Sequence, residues 1–224
     1  MVMEVSFHSM NLYKEGDCVS IGIIGSGNVG RALGQLFSHV GEKVILSHRH
    51  GVASLAPVIA EMRSTVEAGT VAEAADQDIV VLAVPFNALD ELPTKVKADA
   101  VVIDATNYFP SRDGEHPALT EHHTTSSELV AQHFGTRKVV KAFNTIAMTK
   151  IRSLAKPNQS SDRIAIPIAG DDAAAKQTVT NLIKKIGFDA VDLGGLADSY
   201  PAQADGPLFL FTGDADQVRA QANK

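Results

Sequence analysis

Short apolar runs alternate along the chain with segments in which apolar residues recur at helical spacing. Seven runs rich in β-branched residues predict strands, at residues 19–24, 43–47, 78–85, 100–107, 138–144, 163–170 and 189–193. Strands that are apolar throughout and separated by helices are typical of a parallel sheet covered on both faces. The pattern therefore predicts an α/β fold with a doubly wound, mostly parallel sheet of about seven or eight strands.

Helical segments fill the gaps between these strands. We predict helices at residues 29–40, 53–62, 89–96, 126–134 and 172–186, the fourth with a serine cap and the last capped by Asp171. Pro93 interrupts the third of them. Residues 107–125 form a long polar stretch, and stretches of that kind are usually functional or disordered loops.

A glycine-rich turn joins the first predicted strand to the first predicted helix. Residues 25–30 read Gly-Ser-Gly-Asn-Val-Gly, a G-x-G-x-x-G pattern. Gly25 permits a tight turn, Gly27 lets the backbone approach a pyrophosphate, and Gly30 lets helix and strand pack closely. The free N–H groups and the positive dipole end of the helix favour bound phosphate. This context indicates a dinucleotide-binding turn of the Rossmann type.

The second predicted strand ends in a basic segment, VILSHRHG, at residues 44–51. His48 and Arg49 lie 18 and 19 residues after Gly30, near the position where Rossmann proteins read the ribose of the cofactor. An acidic residue there would hold the ribose hydroxyls of NAD(H), whereas an arginine forks onto the 2′-phosphate of NADP(H). We therefore predict NADP(H), with Ser47, His48 and Arg49 as the cradle of the 2′-phosphate. His50 is assigned to the surface.

The composition and charge of the chain exclude several classes of protein. The chain has 224 residues, 45% of them hydrophobic, and a formal net charge of −6, so it offers no general basic field to nucleic acid. No apolar run reaches the roughly 18–20 residues of a membrane span, and the single cysteine, Cys18, fits a reducing cytoplasm. We expect an extension without a signal peptide at residues 1–18, and a single domain at residues 19–224. Its nucleotide half extends to about residue 145, and an acceptor-side part follows at residues 146–224.

Other polar residues give weaker indications. Glu121, His122 and His123 lack the spacing of a metal site and are interpreted as a solvated loop. Asp104 either caps neighbouring backbone or faces the cofactor, and both interpretations stay open. Lys141 has no identifiable partner that would make it a general acid. We predict no catalytic dyad, and hydride transfer needs little acid–base chemistry because the protein mainly aligns donor and acceptor.

Several motifs together resemble the NADPH:coenzyme F420 oxidoreductase family. They are GIIGSGNVGRALGQLF, VILSHR, DIVVLAVPFNAL, VVIDATN, VVKAFNT, IAGDDAAAKQTV and LIKKIGFDAVDLGGLAD, in one register from about residue 19 to residue 198. The resemblance implies a Rossmann domain with a small C-terminal extension, hydride transfer between NADPH and a 5-deazaflavin, and a homodimer. Related proteins reduce flavin or ferric iron.

The resemblance also implies the site residues. Taken together with the glycine turn and the basic strand end, it assigns the cofactor to Gly25, Ser26, Gly27, Asn28, Val29, Gly30, Ser47, His48, Arg49, Val84, Pro85, Phe86, Asn107 and Ala142. It assigns the side where nicotinamide meets the acceptor to Asn144, Thr145 and Met148. The chain departs from the family pattern in two places. His48 stands where serine is common, and residues 199–224 do not match the usual acidic, leucine-rich ending.

The sequence thus favours an NADP(H)-dependent oxidoreductase that acts on a planar small-molecule acceptor, with coenzyme F420 as the first choice. A flavin, quinone or ferric reductase that uses the same cofactor is the second interpretation. A sensor that binds NADP(H) without turnover is the third, because the C-terminal residues diverge from the family pattern. We expect no metal site and neither a nucleic-acid nor a membrane partner.

Overall fold

The computed structural model describes residues 19–62, 65–156, 160 and 162–224. The predicted N-terminal extension, including Cys18, lies outside these ranges. The strands of the described residues are β1 Ser20–Ile24, β2 Lys43–Ser47, β3 Glu67–Ala68, β4 Ile79–Leu82, β5 Val101–Asp104, β6 Val139–Lys141, β7 Ala165–Gly170 and β8 Asp189–Asp192.

These strands form one sheet in the order β3-β2-β1-β4-β5-β6-β7-β8. Neighbouring strands are parallel from β3 through to β6, and β7 and β8 are parallel to each other. The pairing of β6 with β7 is antiparallel, with Val140 opposite Gly170. The predicted Rossmann-type, mostly parallel sheet is therefore confirmed. The strand order reverses between β1 and β4, and sheets of this kind bind ligands outside the carboxyl ends of the strands at such a point.

The helices surround this sheet. They are α1 Asn28–His39, α2 Ala56–Met62, α3 Val71–Ala75, α4 Pro110–Asp113, α5 Pro117–Thr120, α6 Ser126–Phe134, α7 Met148–Leu154, α8 Ala173–Lys185 and α9 Ala215–Ala222. Three 3-10 segments accompany them, at Val52–Leu55, Phe86–Glu91 and Leu196–Ala202. Within the described ranges, no helix combines the length and the apolar character needed to cross a bilayer.

Both faces of the sheet are buried, as the apolar strands predict. On one face, strand residues such as Ile23 and Val81 pack with α1, α7 and α8. On the other face, Val80 and Val102 pack with α3 and α6. Successive side chains of a strand point to opposite faces, so this division follows directly from the strand geometry. A third, smaller cluster joins α9 and the C-terminal segment to β7 and β8.

Two expectations about the secondary structure are wrong. The predicted helix at residues 89–96 is absent, because only a 3-10 segment forms and Leu92, before Pro93, is extended with ψ 155°. The predicted loop at residues 107–125 contains α4 and α5. Each of these short helices has a proline in its first turn, where proline stabilises a helix start.

Two helix caps also differ from the prediction. Thr125, rather than a serine, caps α6 and forms a capping box with Glu128. Asp172, rather than Asp171, caps α8 by accepting a hydrogen bond from the backbone N–H of Ala175. In each case neighbouring residues of similar chemistry compete for the cap, and the backbone conformation decides which one takes the role.

Candidate functional site

The phosphate turn lies between β1 and α1, at the carboxyl end of β1. Gly25 has φ +116° and its backbone N–H donates to the carbonyl of Ser47 at 2.9 Å. A Cβ on Gly25 would lie 2.2 Å from the carbonyl oxygen of Ala83, and a Cβ on Gly30 would lie 1.8 Å from the carbonyl oxygen of Gly25. Both glycines are therefore required by the packing of the protein itself.

Gly27 differs from these two glycines. A Cβ there would meet nothing within 4 Å, so the protein leaves open space over this part of the turn. Gly27 is also the N-cap of α1, where it supplies no side-chain hydrogen bond, and the first turn carries no acidic residue. The N-terminus of this 12-residue helix therefore presents N–H groups and a positive dipole end toward open space. These features fit a pyrophosphate.

The other residues of the turn differ in how far they are exposed. Asn28 is exposed, whereas Ser26 and Val29 are half-buried. The Nε of Arg31 donates to the carbonyl of Ser26 at 2.8 Å and thereby fixes the turn against α1. Arg31 also lies 3.6 Å from the carboxylate of Glu61.

The three residues predicted to bind the 2′-phosphate at the end of β2 differ in their burial and in their hydrogen-bond partners. Ser47 is fully buried and its hydroxyl donates to the carbonyl of Ile23 at 3.0 Å, so this hydroxyl serves the sheet and does not face a ligand. His48 is half-buried with its Nε2 2.6 Å from the hydroxyl of Ser54, and the hydroxyl of Ser54 lies 2.7 Å from the carbonyl of Gly51. Ser54 lies in the 3-10 segment that follows, and no motif in the sequence predicts its contact with His48.

Arg49 is exposed beyond the end of β2. Its Nε donates to Nε2 of His50 at 3.3 Å, and the rings of His48 and His50 stand edge to face at 5.3 Å. Among the described residues, no carboxylate forms an ion pair with Arg49. The guanidinium is therefore available to an anionic ligand, and His50, assigned to the surface, orients it.

The ends of β4 and β5 lie beside the end of β1. Backbone hydrogen bonds join Ala83 to Ile24 at 2.8 Å and Ala105 to Leu82 at 3.2 Å, which holds the three strand ends level. The predicted cofactor residues after β4 differ in exposure, since Val84 is half-buried, Pro85 is exposed and Phe86 is buried. The ring of Phe86 packs edge to face on Tyr108 at 5.6 Å, which connects the two loops.

An asparagine pair joins the ends of β5 and β6. The Nδ2 of Asn107 donates to the carbonyl of Asn144 at 3.0 Å, and the Nδ2 of Asn144 donates to Oδ1 of Asn107 at 3.0 Å. Asn144 also donates to the carbonyl of Ala202 in the C-terminal segment. The Oδ1 of Asn144 is buried without a hydrogen-bond partner in the described part of the chain, so one acceptor of this pair is unused.

The backbone between β6 and α7 is bent sharply. Phe143 has φ +67°, a region that residues other than glycine rarely adopt, and its buried ring packs on Phe37 at 6.0 Å. Unusual backbone conformations of this kind cluster at functional sites. Ala142 and Thr145 are buried, whereas Met148 is half-buried at the start of α7.

Beneath the asparagine pair lies a buried ion pair. Nζ of Lys141 lies 3.0 Å from Oδ2 of Asp104, and the two side chains are 1% and 0% exposed. Asp104 also accepts hydrogen bonds from the hydroxyl of Ser127 at 2.6 Å and from the backbone and hydroxyl of Thr106 at 2.9 and 2.7 Å. Lys141 donates in addition to the carbonyl of Thr106 at 2.7 Å. Asp104 therefore caps backbone and pairs with Lys141, which resolves the two interpretations left open above.

The electrostatics of this pair favour the charged form. Burial would raise the pKa of the Asp104 carboxyl, but the ammonium of Lys141 and the hydrogen bonds from Ser127 and Thr106 outweigh it, and the pKa lies below its ordinary value. Because both partners are enclosed by β5, β6 and α6, the pair locks the two strands that carry Asn107 and Asn144.

Cavities border this edge of the sheet in several places. One of about 300 Å³ touches Asn28 and Met148, one of about 350 Å³ touches Phe86 and Tyr108, and one of about 130 Å³ lies between residues 108–110 and residues 203–205. A larger cavity of about 760 Å³ lies elsewhere, along the C-terminal halves of α1 and α7. We place the site at the strand ends because the phosphate turn and the polar strand ends are there.

Comparison with known proteins agrees with this geometry. Residues 20–108, from the first residue of β1 to the loop after β5, match the family described as NADP oxidoreductase, coenzyme F420-dependent. A hypothetical protein of Sinorhizobium meliloti, SMa0349, has the same fold with a TM-score of 0.73 and 31% identity over 90% of this chain and 98% of that one. The chain belongs to the coenzyme F420-dependent NADP oxidoreductase family.

Two further relatives bear on the activity of this family member. A protein of Arthrobacter sp. FB24 with the provisional name F420-dependent NADP-reductase is 25% identical, with a TM-score of 0.64 over 82% of this chain and 88% of that one. The metalloreductase STEAP3 of Rattus norvegicus is 28% identical over 189 residues, which is 82% of this chain and 36% of the relative. The chain thus spans about a third of the length of that curated relative. The family model that matches residues 20–108 is one of NADP-dependent oxidoreductases.

Proposed function

We propose that this oxidoreductase transfers hydride between NADP(H) and a planar acceptor, with coenzyme F420 as the leading acceptor. The observation that carries the cofactor part is the open space over Gly27 at the end of β1, together with an exposed Arg49 after the neighbouring β2 that has no carboxylate partner among the described residues. The nicotinamide of NADP(H) supplies the hydride chemistry when bound. The residues of the chain bind the nucleotide and the acceptor, orient them toward each other and exclude water.

We assign the roles of these residues by their positions. Residues 25–30 hold the pyrophosphate at the N-terminus of α1. Arg49 and His48 bind the 2′-phosphate, while Ser47 only supports the end of β2. Val84 and Pro85 line the nicotinamide ribose, and the pair of Asn107 and Asn144 holds the ends of β5 and β6 together at the nicotinamide end.

Exchange of Arg49 tests the choice of NADP(H) over NAD(H). A charge-assisted hydrogen bond contributes roughly 1.5–3 kcal/mol, so Arg49→Ala should weaken NADPH binding by roughly 10- to 100-fold and leave NADH binding almost unchanged. Arg49→Asp should weaken NADPH further, because a carboxylate repels phosphate but can hold ribose hydroxyls. Fluorescence titration with both nucleotides measures these affinities.

Arg219→Ala is the matched control for this exchange. Arg219 is an exposed arginine of α9, paired with Asp216, and its loss should change neither affinity. Equal loss of NADPH and NADH affinity in Arg49→Ala, or a preference of the wild type for NADH, would show that Arg49 does not read the 2′-phosphate.

The acceptor part of the proposal is supported by aromatic side chains in the loop that follows Asn107 and in the C-terminal segment. Phe109 and Phe209 pack edge to face at 5.8 Å, and the guanidinium of Arg112 lies 5.0 Å from the ring of Phe109. Such faces suit a planar conjugated ring. The family and the name of the Arthrobacter relative favour coenzyme F420, whereas the name of the rat relative favours ferric iron as a second candidate.

Oxidation of NADPH, followed by its absorbance, separates these acceptors. We expect turnover with oxidised F420 to exceed that with a free flavin, a quinone or a ferric chelate. Turnover with the ferric chelate alone would move the proposal to a metalloreductase. Tight NADPH binding without turnover on any acceptor would favour the sensor interpretation. The predicted homodimer and cytoplasmic location remain proposals, and light scattering of the purified protein tests the dimer.

A further inference from the structure

The hydroxyl of Ser54 lies between the ring of His48 and two backbone carbonyls. Its Oγ is 2.6 Å from Nε2 of His48, 2.7 Å from the carbonyl oxygen of Gly51 and 3.2 Å from that of His50. A serine hydroxyl has one proton to donate, whereas a carbonyl oxygen can only accept. The proton therefore points to a carbonyl, because two oxygens 2.7 Å apart with no proton between them would repel each other.

This arrangement fixes the tautomer of His48. Since the hydroxyl proton of Ser54 points to a carbonyl, its Oγ accepts from the imidazole, and Nε2 of His48 carries a proton. In a neutral ring the other nitrogen, Nδ1, then has a free lone pair. Nδ1 forms no hydrogen bond within the described part of the chain and is not among the buried polar atoms without a partner, so solvent reaches it.

A neutral His48 in this tautomer presents an acceptor, and not a donor, to a 2′-phosphate. The oxygens of the phosphate are acceptors too, so the ring must gain a proton at Nδ1 before it can donate to them. Histidine is the side chain whose charge changes most readily near neutral pH. The cationic ring then donates a charge-assisted hydrogen bond, which is stronger than a neutral one.

The groups around His48 leave Nδ1 of this ring as the atom that gains the proton. The 3-10 segment that carries Ser54 has no ionisable side chain, and neither have residues 25–30 of the phosphate turn. The ring of His50 lies 5.3 Å away, but its Nε2 accepts from Nε of Arg49 at 3.3 Å, which requires a neutral ring. Among the residues that the structure describes, no carboxylate forms an ion pair with His48.

We propose that Ser54 is a positioning residue that makes the 2′-phosphate bind with uptake of one proton by His48. The proton passes from solvent to Nδ1, and the resulting N–H donates to a phosphate oxygen. The affinity for NADP(H) therefore rises as pH falls, whereas NAD(H), which has no 2′-phosphate, binds independently of this proton. The inference rests on the proposed function, because it requires the 2′-phosphate to lie at the end of β2.

The tautomer is tested on the full-length protein without nucleotide. Nitrogen chemical shifts in NMR spectra distinguish the protonated from the unprotonated nitrogen of a histidine ring, and the signals of His48 are assigned by their loss in His48→Gln. At pH 8.5 we expect the proton on Nε2 in the wild type and in Ser54→Thr, which keeps the hydroxyl. In Ser54→Ala the signals should move toward the form protonated on Nδ1. A proton on Nδ1 in the wild type would overturn the proposal.

Calorimetry then counts the protons taken up on binding. NADP⁺ and NAD⁺ are titrated from pH 6.5 to pH 8.5, where a phosphate monoester is mostly dianionic, in two phosphate-free buffers with different heats of ionisation. A linked proton changes the affinity by at most about tenfold per pH unit. NADP⁺ should bind roughly three- to tenfold more tightly at pH 6.5 than at pH 8.5, and the affinity for NAD⁺ should change less than about twofold.

Variants test the part played by the hydroxyl. Ser54→Ala should reduce the pH dependence of NADP⁺ affinity to less than about twofold, because its neutral ring can donate from Nδ1 without a further proton. His48→Gln should abolish the uptake, and Ser54→Thr should retain it. Ser153→Ala is the matched control, since it removes an exposed hydroxyl that also donates to the carbonyl three residues earlier, at 2.9 Å, and it should behave as the wild type.

The outcomes separate this inference from the proposed function. A wild type that prefers NAD⁺ at every pH would contradict both. A preference for NADP⁺ that does not change with pH, or full proton uptake in Ser54→Ala, would overturn the inference alone. Loss of uptake in His50→Gln together with full uptake in His48→Gln would place the proton on the other ring and would overturn it as well.

Discussion

Replacement of Lys141 by methionine tests the buried ion pair beneath the candidate site. The substitution keeps the length of the side chain and removes its charge, which leaves the Asp104 carboxylate buried with only the donors of Thr106 and Ser127. Removal of one partner of a buried ion pair costs roughly 3–5 kcal/mol, because the remaining charge has lost its compensation. We expect the free energy of unfolding to fall by about that amount.

A matched pair on the same two strands provides the control. Nζ of Lys138, just before β6, lies 2.7 Å from Oδ1 of Asp99, just before β5, but these side chains are 32% and 83% exposed. Exposed pairs contribute less than about 1 kcal/mol, so Lys138→Met should change the stability far less than Lys141→Met. The two substitutions thus compare one chemical change at a buried and at an exposed end of the β5–β6 pairing.

Urea unfolding of Lys141→Met, Asp104→Asn and the double variant measures the coupling. Once both charges are absent, the second substitution has no uncompensated charge to create, so the double variant should lose roughly 2–3 kcal/mol less than the sum of the single variants. Coupling below about 0.5 kcal/mol, or equal losses in Lys141→Met and Lys138→Met, would refute the reasoning. The slope of stability against urea must stay constant for the comparison to hold.

The pH dependence of stability tests the ion pair of Asp104 and Lys141 independently. The folded pKa of Asp104 is lowered, so its stabilising contribution is complete above the unfolded value of about 3.9 and is lost as pH falls through the lower folded value. Lys141→Met removes the charge that lowers this pKa, while the burial that raises it remains. The stability difference between wild type and Lys141→Met should therefore shrink as the solution is made acidic.

Two further predictions concern the phosphate turn and a helix cap. Gly27→Ala should leave the melting temperature unchanged and weaken NADPH binding, since its Cβ meets no protein atom, whereas Gly30→Ala should lower the melting temperature because its Cβ would lie 1.8 Å from the carbonyl of Gly25. Thermal unfolding and NADPH titration of both variants distinguish the two roles, and a lower melting temperature for Gly27→Ala would contradict the first. Thr125→Ala removes the cap of α6 and should cost roughly 1–2 kcal/mol in urea unfolding, and no measurable loss would show that Glu128 alone secures this helix.

The nucleotide half of the fold follows from local signals in the sequence. The apolar runs give the parallel strands, and the glycine pattern gives the turn, because each needs only neighbouring residues to be recognised. β3, at Glu67–Ala68, is too short to produce such a signal. The helices that begin at Pro110 and Pro117 do carry one, proline at a helix start, which the interpretation of residues 107–125 as a loop overlooked.

Ser47 shows that the composition of a strand end does not tell which of its side chains are free to contact a ligand. The sequence correctly predicts that β2 ends at Ser47, followed by two basic residues. The last residue of a strand still has a side chain committed to one face of the sheet, and that of Ser47 turns inward to the carbonyl of Ile23. Only His48 and Arg49, beyond the strand, are free of this constraint. The alternation of faces along β2 was therefore the signal that could have separated Ser47 from the cradle.

The acceptor side of the site depends on contacts between residues far apart in the chain, and no local pattern reveals them. Asn107 and Asn144 are 37 residues apart, and Ala202 lies 58 residues beyond Asn144. Because Asn144 donates to the carbonyl of Ala202, the C-terminal segment takes part in positioning the end of β6. The phosphate turn makes no such contact with that segment among the described hydrogen bonds. A family can therefore keep its nucleotide half while its C-terminal segment diverges, and we expect the consequences of that divergence to fall on the acceptor rather than on NADP(H).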